Sequence, residues 1–163
     1  MTQDFPAWLK HTTVWLLLGA GLFVGVQAWQ ARERATRFVA EGGTIEIRRA
    51  PDGHFHWPGR IDGRAVEFLV DTGASGTAIP AALARSLGLA ELGTVRSQTA
   101  GGEVTGQIVV ATLELEGGVR AERLRMVALP DLHAPLLGMD VLGRLRWQQD
   151  AGVLRLTPRG PGS

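Results

Sequence analysis

The sequence contains no cysteine and no tyrosine, and its formal net charge is only +1. Without cysteine the chain has no disulfide bond, no catalytic thiol and no thiolate ligand for a metal. A net charge this close to zero gives no electrostatic reason to expect a nucleic-acid partner. The lack of cysteine leaves the redox compartment open, because such a chain folds equally well on either side of a membrane.

The sequence is rich in glycine, with 22 glycines and 8 prolines among 163 residues, and 45% of it is hydrophobic. This length is enough for one domain with a real hydrophobic core. The many glycines and prolines are high for a helical bundle and suit short strands joined by tight turns. The composition therefore suits one ordinary domain of short strands and tight turns.

The apolar run from Val14 to Ala28 differs from the rest of the sequence. Extended to residues 12–29, it approaches the ~20 residues that a helix needs to cross a bilayer. We therefore predict a transmembrane helix at 12–29, with Trp8, Trp15 and Trp29 near the two interfaces. The alternative is a cleaved signal peptide, with Lys10 and His11 as a weakly basic start.

The Gly21–Gly25 pair within this run is a GxxxG motif, which permits two helices to approach closely. We divide the chain into an N-terminal segment with anchor and linker (1–40), a folded domain (41–158) and a disordered tail (159–163). Counting basic residues places the folded domain in the cytoplasm. An export signal at the N-terminus would place it in the periplasm instead. We predict a single-pass inner-membrane protein with a periplasmic domain, and the orientation stays open.

From residue 42 onward the sequence predicts strands and tight turns. Thr44 to Arg48 alternates between apolar and polar residues, as a half-buried strand does. Asp62-Gly63 between apolar flanks is a strong hairpin signal. Residues 81–88 predict a short helix closed by Gly88. A last strand is predicted from Val153 to Thr157.

One acid stands out because it directly follows an apolar run. Asp71 comes after Phe68-Leu69-Val70 and before Thr72-Gly73. A carboxylate at the end of a core strand costs several kcal/mol unless it is satisfied or neutralised. Its position therefore calls for a functional explanation.

The stretch Asp71-Thr72-Gly73, followed by Ala74-Ser75, resembles the active-site signature of aspartic proteases. A glycine-tipped hairpin at residues 98–103 lies where this family has its flap, and Leu136-Leu137-Gly138 is similar to the element beneath the catalytic loop. The order and spacing resemble the retroviral-type (retropepsin-like, clan AA) branch, and most of all its membrane-anchored bacterial members. The resemblance implies an all-β, closed barrel with one or two short helices.

The resemblance also implies an aspartic endopeptidase that hydrolyses peptide bonds without a cofactor or metal. It assigns the roles as follows: catalytic, Asp71; active-site loop, Thr72, Gly73, Ala74 and Ser75; flap, Thr99, Ala100, Gly101 and Gly102; supporting loop, Leu136, Leu137 and Gly138. The family's flap often carries an aromatic residue, which this tip lacks. The chemistry needs one carboxylate as base and another as acid, and two neighbouring carboxyls share one proton, as aspartic proteases themselves illustrate.

Only one Asp-Thr-Gly occurs in the sequence. Asp140 is the one serious internal candidate for a second acid, but its position before a helix suits an N-cap. We therefore predict a homodimer in which each copy supplies Asp71 across a two-fold axis. The expected partners are a second copy, a peptide or protein substrate, and the membrane through residues 12–29.

Two alternatives remain from the sequence. The chain could be a catalytically inactive, dimeric peptide-binding or scaffold module of the same fold. His54 and His56 share one strand face and could bind a metal, but no third ligand is evident, so solvent-facing histidines are the favoured interpretation.

Overall fold

The structure, a computed structural model, describes residues 15–27, 37–40, 42–99 and 102–159. Backbone contacts divide the chain into two units, Met1–Ala35 and Thr36–Ser163. Each unit is described by itself below.

In the first unit, residues 15–27 form helix α1. Its large apolar side chains, such as Trp15 and Phe23, are exposed. Among the described residues, no helix combines the length and apolar character that crossing a membrane requires. The transmembrane helix predicted at 12–29 is therefore not found there, and its two ends lie outside the described residues. The predicted cellular location stays a prediction.

The described part of the second unit consists mainly of strands. They are β1 (Arg37–Ala40), β2 (Ile45–Arg48), β3 (His56–Ile61), β4 (Arg64–Val70), β5 (Ala78–Pro80), β6 (Glu91–Thr99), β7 (Gly102–Leu115), β8 (Val119–Leu129), β9 (Leu136–Leu137), β10 (Leu145–Asp150) and β11 (Val153–Pro158). Two short helices, α2 (Ala81–Ser86) and α3 (Met139–Leu142), interrupt them. The prediction of a mostly β fold with one or two short helices is confirmed for this unit.

Eight of these strands form one sheet in the order β1-β8-β5-β9-β4-β3-β7-β6, and β7 also pairs with β8. Strands β8, β5, β9, β4, β3 and β7 therefore form a continuous circuit of pairings. β10, β11 and β2 form a separate antiparallel sheet with β11 in the centre.

The turns follow the local sequence closely. Asp62 and Gly63 both have positive φ, 45° and 80°, which is the two-residue turn that matches the twist of a hairpin. They join β3 to β4, with Ile61 opposite Arg64. The predicted Asp-Gly hairpin is confirmed, as is the helix before Gly88, whose φ is +67° and whose N–H donates to the Arg85 carbonyl at 3.0 Å.

The core of this unit is made by the inward faces of the strands. The largest side chains that are essentially fully buried are those of Trp57, Phe68, Ile61, Ile79, Leu113, Met126, Leu137, Leu142, Leu145 and Leu156. Burying each such side chain contributes about 1.5–3 kcal/mol relative to exposure. The Trp57 indole N–H is satisfied by the Glu116 carbonyl at 2.9 Å. Leu137 and Leu142 anchor β9 and α3 in this core. β9 bonds to Asp71 through the Leu137 carbonyl, and α3 contacts Ala74 and Thr77 further along the same loop.

Candidate active site

Asp71 follows directly on the last residue of β4. β4 pairs antiparallel with β3 and parallel with β9, where Val70 lies opposite Leu137. The Asp71 N–H donates to the Leu137 carbonyl at 3.0 Å, and the Val70 N–H donates to the Phe55 carbonyl at 2.9 Å. Neighbouring strands on both sides therefore fix the backbone that carries the carboxylate.

The Asp71 side chain is held by its own loop. The Gly73 N–H donates to Asp71 Oδ1 at 2.8 Å, and the Ala74 N–H donates to the Asp71 carbonyl at 3.3 Å. A Cβ at position 73 would lie 3.2 Å from Asp71 Oδ1, so glycine allows the backbone to approach the carboxylate closely. The carboxylate is half-buried and Gly73 is exposed, which leaves the site open on one side.

Gly138 packs directly against the loop that carries Asp71. A Cβ at position 138 would lie 2.4 Å from the Gly76 carbonyl carbon and 2.5 Å from its oxygen. The Met139 N–H donates to the Ala74 carbonyl at 2.8 Å. Leu136 and Leu137 pair with the end of β4. Residues 136–138 therefore lie alongside the loop that carries Asp71.

Asp140 connects α3 to the far end of the same loop. Its Oδ2 accepts the Thr77 N–H at 3.0 Å, and its Oδ1 accepts the Thr77 hydroxyl at 2.8 Å. The Thr77 hydroxyl oxygen also accepts the Gly138 N–H at 3.3 Å. The N-cap interpretation of Asp140 is wrong, because Gly138 occupies the N-cap and Asp140 lies inside the first turn of α3.

Thr77 is a site residue that the sequence analysis did not single out. It is 1% exposed, and it is the buried polar residue of the described core. A buried hydroxyl requires a partner, and Asp140 supplies it from 63 positions away. The only signal in the sequence is a threonine placed directly before the apolar pair Ala78-Ile79.

The other predicted loop and flap residues are placed as follows. Thr72 and Ser75 are exposed, and Ala74 is half-buried. β6 and β7 form a long hairpin in which Thr99 lies opposite Gly102. Gly102 has a φ of +110°, a conformation that favours glycine. The tip residues Ala100 and Gly101, and the side chain of Thr99, lie outside the described residues.

His54 and His56 are not part of a metal site among the described residues. Within the described ranges, no group of three or more histidine or acidic residues is arranged to hold a metal ion. His56 Nε2 lies 2.7 Å from Asp52 Oδ2, and its Nδ1 lies 3.0 Å from Glu67 Oε1. The hydrogen bond to Asp52, followed by the one to Glu67, raises the pKa of His56 above its ordinary value.

Comparisons with known proteins agree with this geometry. A family model described as aspartyl protease matches residues 57–141, just over half of the chain. The chain is 33% identical over 113 residues to an uncharacterized Rickettsia prowazekii protein, RP867, covering 68% of this chain and 49% of that protein. It therefore spans about half the length of this curated relative.

The chain is also similar to solved structures. The chain is similar to the crystal structure of a retropepsin-like aspartic protease from Rickettsia conorii, with a TM-score of 0.55 and 26% identity over 75% of this chain and 92% of that one. It is also similar to an EIAV protease complexed with an inhibitor, with a TM-score of 0.48 and 23% identity over 54% of this chain and 84% of that one.

Proposed function

The chain belongs to the aspartyl protease family and has a retropepsin-like fold, and on this premise we propose that it is an endopeptidase whose active site forms between two copies. Asp71 of each copy supplies one carboxyl group. The substrate is an extended peptide or protein segment, and no cofactor takes part. The circuit of strand pairings is, in this proposal, the closed barrel that carries the two loops.

The hydrogen bonds that Asp140 accepts from Thr77 are the observation that supports an active site shared between two copies. Hydrolysis without a metal needs a base to take a proton from water and an acid to protonate the carbonyl oxygen. Among the described residues, Asp140 is the other carboxylate adjoining this loop, and both its oxygens are bonded to Thr77. Asp71 accepts a single described hydrogen bond, from Gly73, so its second oxygen remains for water. One copy thus provides one reactive carboxylate.

The chemistry follows from bringing two such carboxylates together. Two neighbouring carboxyl groups hold one proton between them, because both cannot be ionised at short distance. The ionised Asp71 takes a proton from a bound water, whose oxygen attacks the scissile carbonyl carbon. The protonated Asp71 of the other copy gives its proton to the carbonyl oxygen. The tetrahedral intermediate then breaks its C–N bond as the protonated carboxyl gives its proton to the leaving nitrogen. The ionised carboxylate takes a proton from one hydroxyl group of the intermediate, which leaves the carboxylic acid product and restores one proton to the pair.

The rest of the site positions these groups. The Asp71 N–H donates to the Leu137 carbonyl, the Gly73 N–H donates to Asp71 Oδ1, and Thr77 donates to Asp140. These hydrogen bonds hold the loop, which fixes the carboxylate before substrate arrives. The β6–β7 hairpin acts as the flap, closing over the substrate and pairing its backbone with the extended peptide.

Replacement of the carboxylate tests the proposal most directly. We expect Asp71→Asn to lower the rate of cleavage of an unfolded protein substrate at acid pH by at least about a hundredfold, because it removes the general base and acid. Asp131→Asn is the matched control, since Asp131 is an exposed aspartate in the loop after β8. Its rate should equal that of the unmodified chain.

Inhibition supplies a second readout. Pepstatin, a mimic of the tetrahedral intermediate, should stop cleavage by the unmodified chain and by Asp131→Asn alike. If Asp71→Asn cleaves as fast as the unmodified chain, the proposal is wrong. If the unmodified chain binds peptide without cleaving it, the inactive peptide-binding module is the correct function.

A further inference from the structure

We propose that the chain binds an acidic peptide segment at an interruption in the pairing of β8, over residues 123–126, which we call the β8 gap. The peptide pairs its backbone with the open strand edge there, and one of its carboxylate side chains contacts Arg125 and Arg144. The site does not include Asp71, so this inference goes beyond the proposed function and does not depend on it.

β8 changes its neighbour along one edge. It pairs with β1 over residues 119–122 and with β5 over residues 127–129, while β7 occupies the opposite edge. Between these two stretches, no strand in the described part of the chain pairs with the β1 and β5 side of residues 123–126. A β-bulge lies at the start of this gap, because two residues of β8 stand opposite one of β7 and Arg123 has a φ of +56°. Such a bulge interrupts regular pairing.

The backbone groups that face the gap belong to Arg125. The Val127 N–H donates to the Thr77 carbonyl at 3.1 Å, so Val127 directs its backbone groups toward β5. Along a strand these groups alternate between the two edges, which makes Arg125 the next residue that faces outward. An N–H and a C=O in an open strand edge form a template for an added strand. The gap is therefore suited to recognition of an extended peptide by strand addition.

A cavity of about 320 Å³ lies between this edge and the segment around α3. Leu124, which is buried, and Met139, which is half-buried, form apolar parts of its wall. Arg125 from β8 and Arg144, which follows α3, line it from two different elements. Ligand pockets usually measure about 300–1,000 Å³. This cavity is at the small end of that range, which suits one side chain and a short length of backbone.

The charge of the cavity favours an anion. Arg125 and Arg144 are exposed, and neither forms an ion pair among the described residues. Asp140 is the carboxylate among the residues that line the cavity. Its oxygens already accept hydrogen bonds from Thr77 and from the Val141 N–H. Two guanidinium groups thus exceed one bonded carboxylate, and guanidinium groups bind carboxylates with a matching planar geometry.

The open strand edge indicates that this anion is part of a peptide. A free small anion would use only the two guanidinium groups, whereas the backbone groups of Arg125 match those of another extended chain. The occupant is therefore an extended segment that carries glutamate or aspartate. Asp140 lies in the same cavity wall and bonds to Thr77 at the end of the catalytic loop, so a bound segment lies next to the support of that loop.

Peptide binding to the full-length chain tests this site. The probe is a fluorescein-labelled peptide of alternating valine and glutamate, and fluorescence anisotropy measures its Kd with pepstatin present to prevent cleavage. We expect Arg125→Gln and Arg144→Gln each to raise the Kd by about fivefold or more, because each removes a charge-assisted contact. Arg64→Gln is the matched control, since Arg64 is an exposed arginine at the start of β4. Its Kd should equal that of the unmodified chain.

Altered peptides test the same site without changing the protein. Glutamine in place of each glutamate should weaken binding by about tenfold or more, because the carboxylates are lost. Methylation of alternate backbone nitrogens should weaken it by about fivefold or more, because it removes the donors for strand pairing. Succinate, a small dicarboxylate, should displace the peptide only far above the Kd of the peptide.

Several results would overturn the inference. They are absence of binding, equal binding of the glutamine peptide, and arginine variants that bind as tightly as the unmodified chain. Unchanged binding of the methylated peptide would exclude strand pairing, and displacement by succinate at the Kd of the peptide would indicate a small-anion site instead. Circular dichroism shows that each variant is folded. None of these measurements uses cleavage, so a failure of this site and a failure of the protease function are separate results.

Discussion

A single histidine on β3 is bonded through both of its ring nitrogens. His56 Nε2 contacts Asp52, and Nδ1 contacts Glu67 on β4. A neutral imidazole has one N–H, so it donates only one of these bonds, whereas the imidazolium donates both. The pKa of His56 is raised, first by the bond to Asp52, and the pKa of Asp52 is lowered, first by the His54 backbone N–H and then by His56.

These shifts predict a pH window for the stability of the β3–β4 hairpin. The contribution of His56 is complete below its ordinary pKa of 6.5 and is lost as the pH rises through its raised pKa. The contribution of Asp52 is present above its ordinary 3.8 and is lost as the pH falls through its lowered pKa. His56→Gln should therefore lower the melting temperature most at about pH 5 and hardly at all at about pH 9.

The measurement is thermal unfolding of both chains across that range. His54→Gln is the control, because the contact of residue 54 with Asp52 is made by its backbone N–H. An equal loss of stability at both pH values would show that the role of His56 is packing rather than charge.

At the scale of elements, the catalytic loop depends on the segment from β9 to α3. This segment reaches the loop through backbone hydrogen bonds to Asp71 and Ala74, through the Asp140–Thr77 pair, and through close packing of Gly138 on Gly76. The fit at Gly138 requires that this residue have no side chain, although its φ of −93° is open to any residue. The close approach of the Gly76 backbone, and not the backbone conformation of residue 138, therefore explains why this residue is glycine.

Gly138→Ala should consequently displace the loop. The added methyl group overlaps the Gly76 backbone, and we expect a loss of about 1–3 kcal/mol in the free energy of unfolding, together with slower cleavage. Gly43→Ala is the matched control, because a Cβ there meets nothing within 4 Å. Its stability should change by no more than about 0.5 kcal/mol. Urea unfolding of the two variants measures the difference, and equal values would contradict the packing argument.

At the scale of the whole molecule, the proposed active site belongs to a pair of chains. Each copy holds one Asp71, and a dimer of one intact and one Asp71→Asn chain has a single carboxylate. Such a mixed dimer lacks either the base or the acid. Its activity should therefore be as low as that of the variant homodimer.

Mixing the two chains tests this directly. After subunit exchange, a threefold excess of Asp71→Asn should lower cleavage by a fixed amount of intact chain to about a quarter, by random pairing of subunits. The rate measured immediately after mixing, before exchange, is the control. An unchanged rate after exchange would mean that one chain hydrolyses the substrate alone.

Local sequence determined much of this protein. The apolar run before Asp71, the Asp62-Gly63 turn and the helix before Gly88 each follow from interactions between residues close in the chain, so their patterns are readable without the fold. The family resemblance rests on the same kind of local signature. The absence of cysteine from the sequence also excludes a catalytic thiol and a disulfide bond.

The tertiary structure decided how those pieces meet. Three contacts join residues that are distant in sequence or on different strands. They are the hydrogen bonds between Thr77 and Asp140, the close packing of Gly138 on Gly76, and the contact of His56 with Glu67. The position of β11 between β10 and β2 is of the same kind. Such contacts depend on where the strands lie relative to one another, and burial of the whole core determines that placement. No single segment of the sequence has a pattern that predicts it.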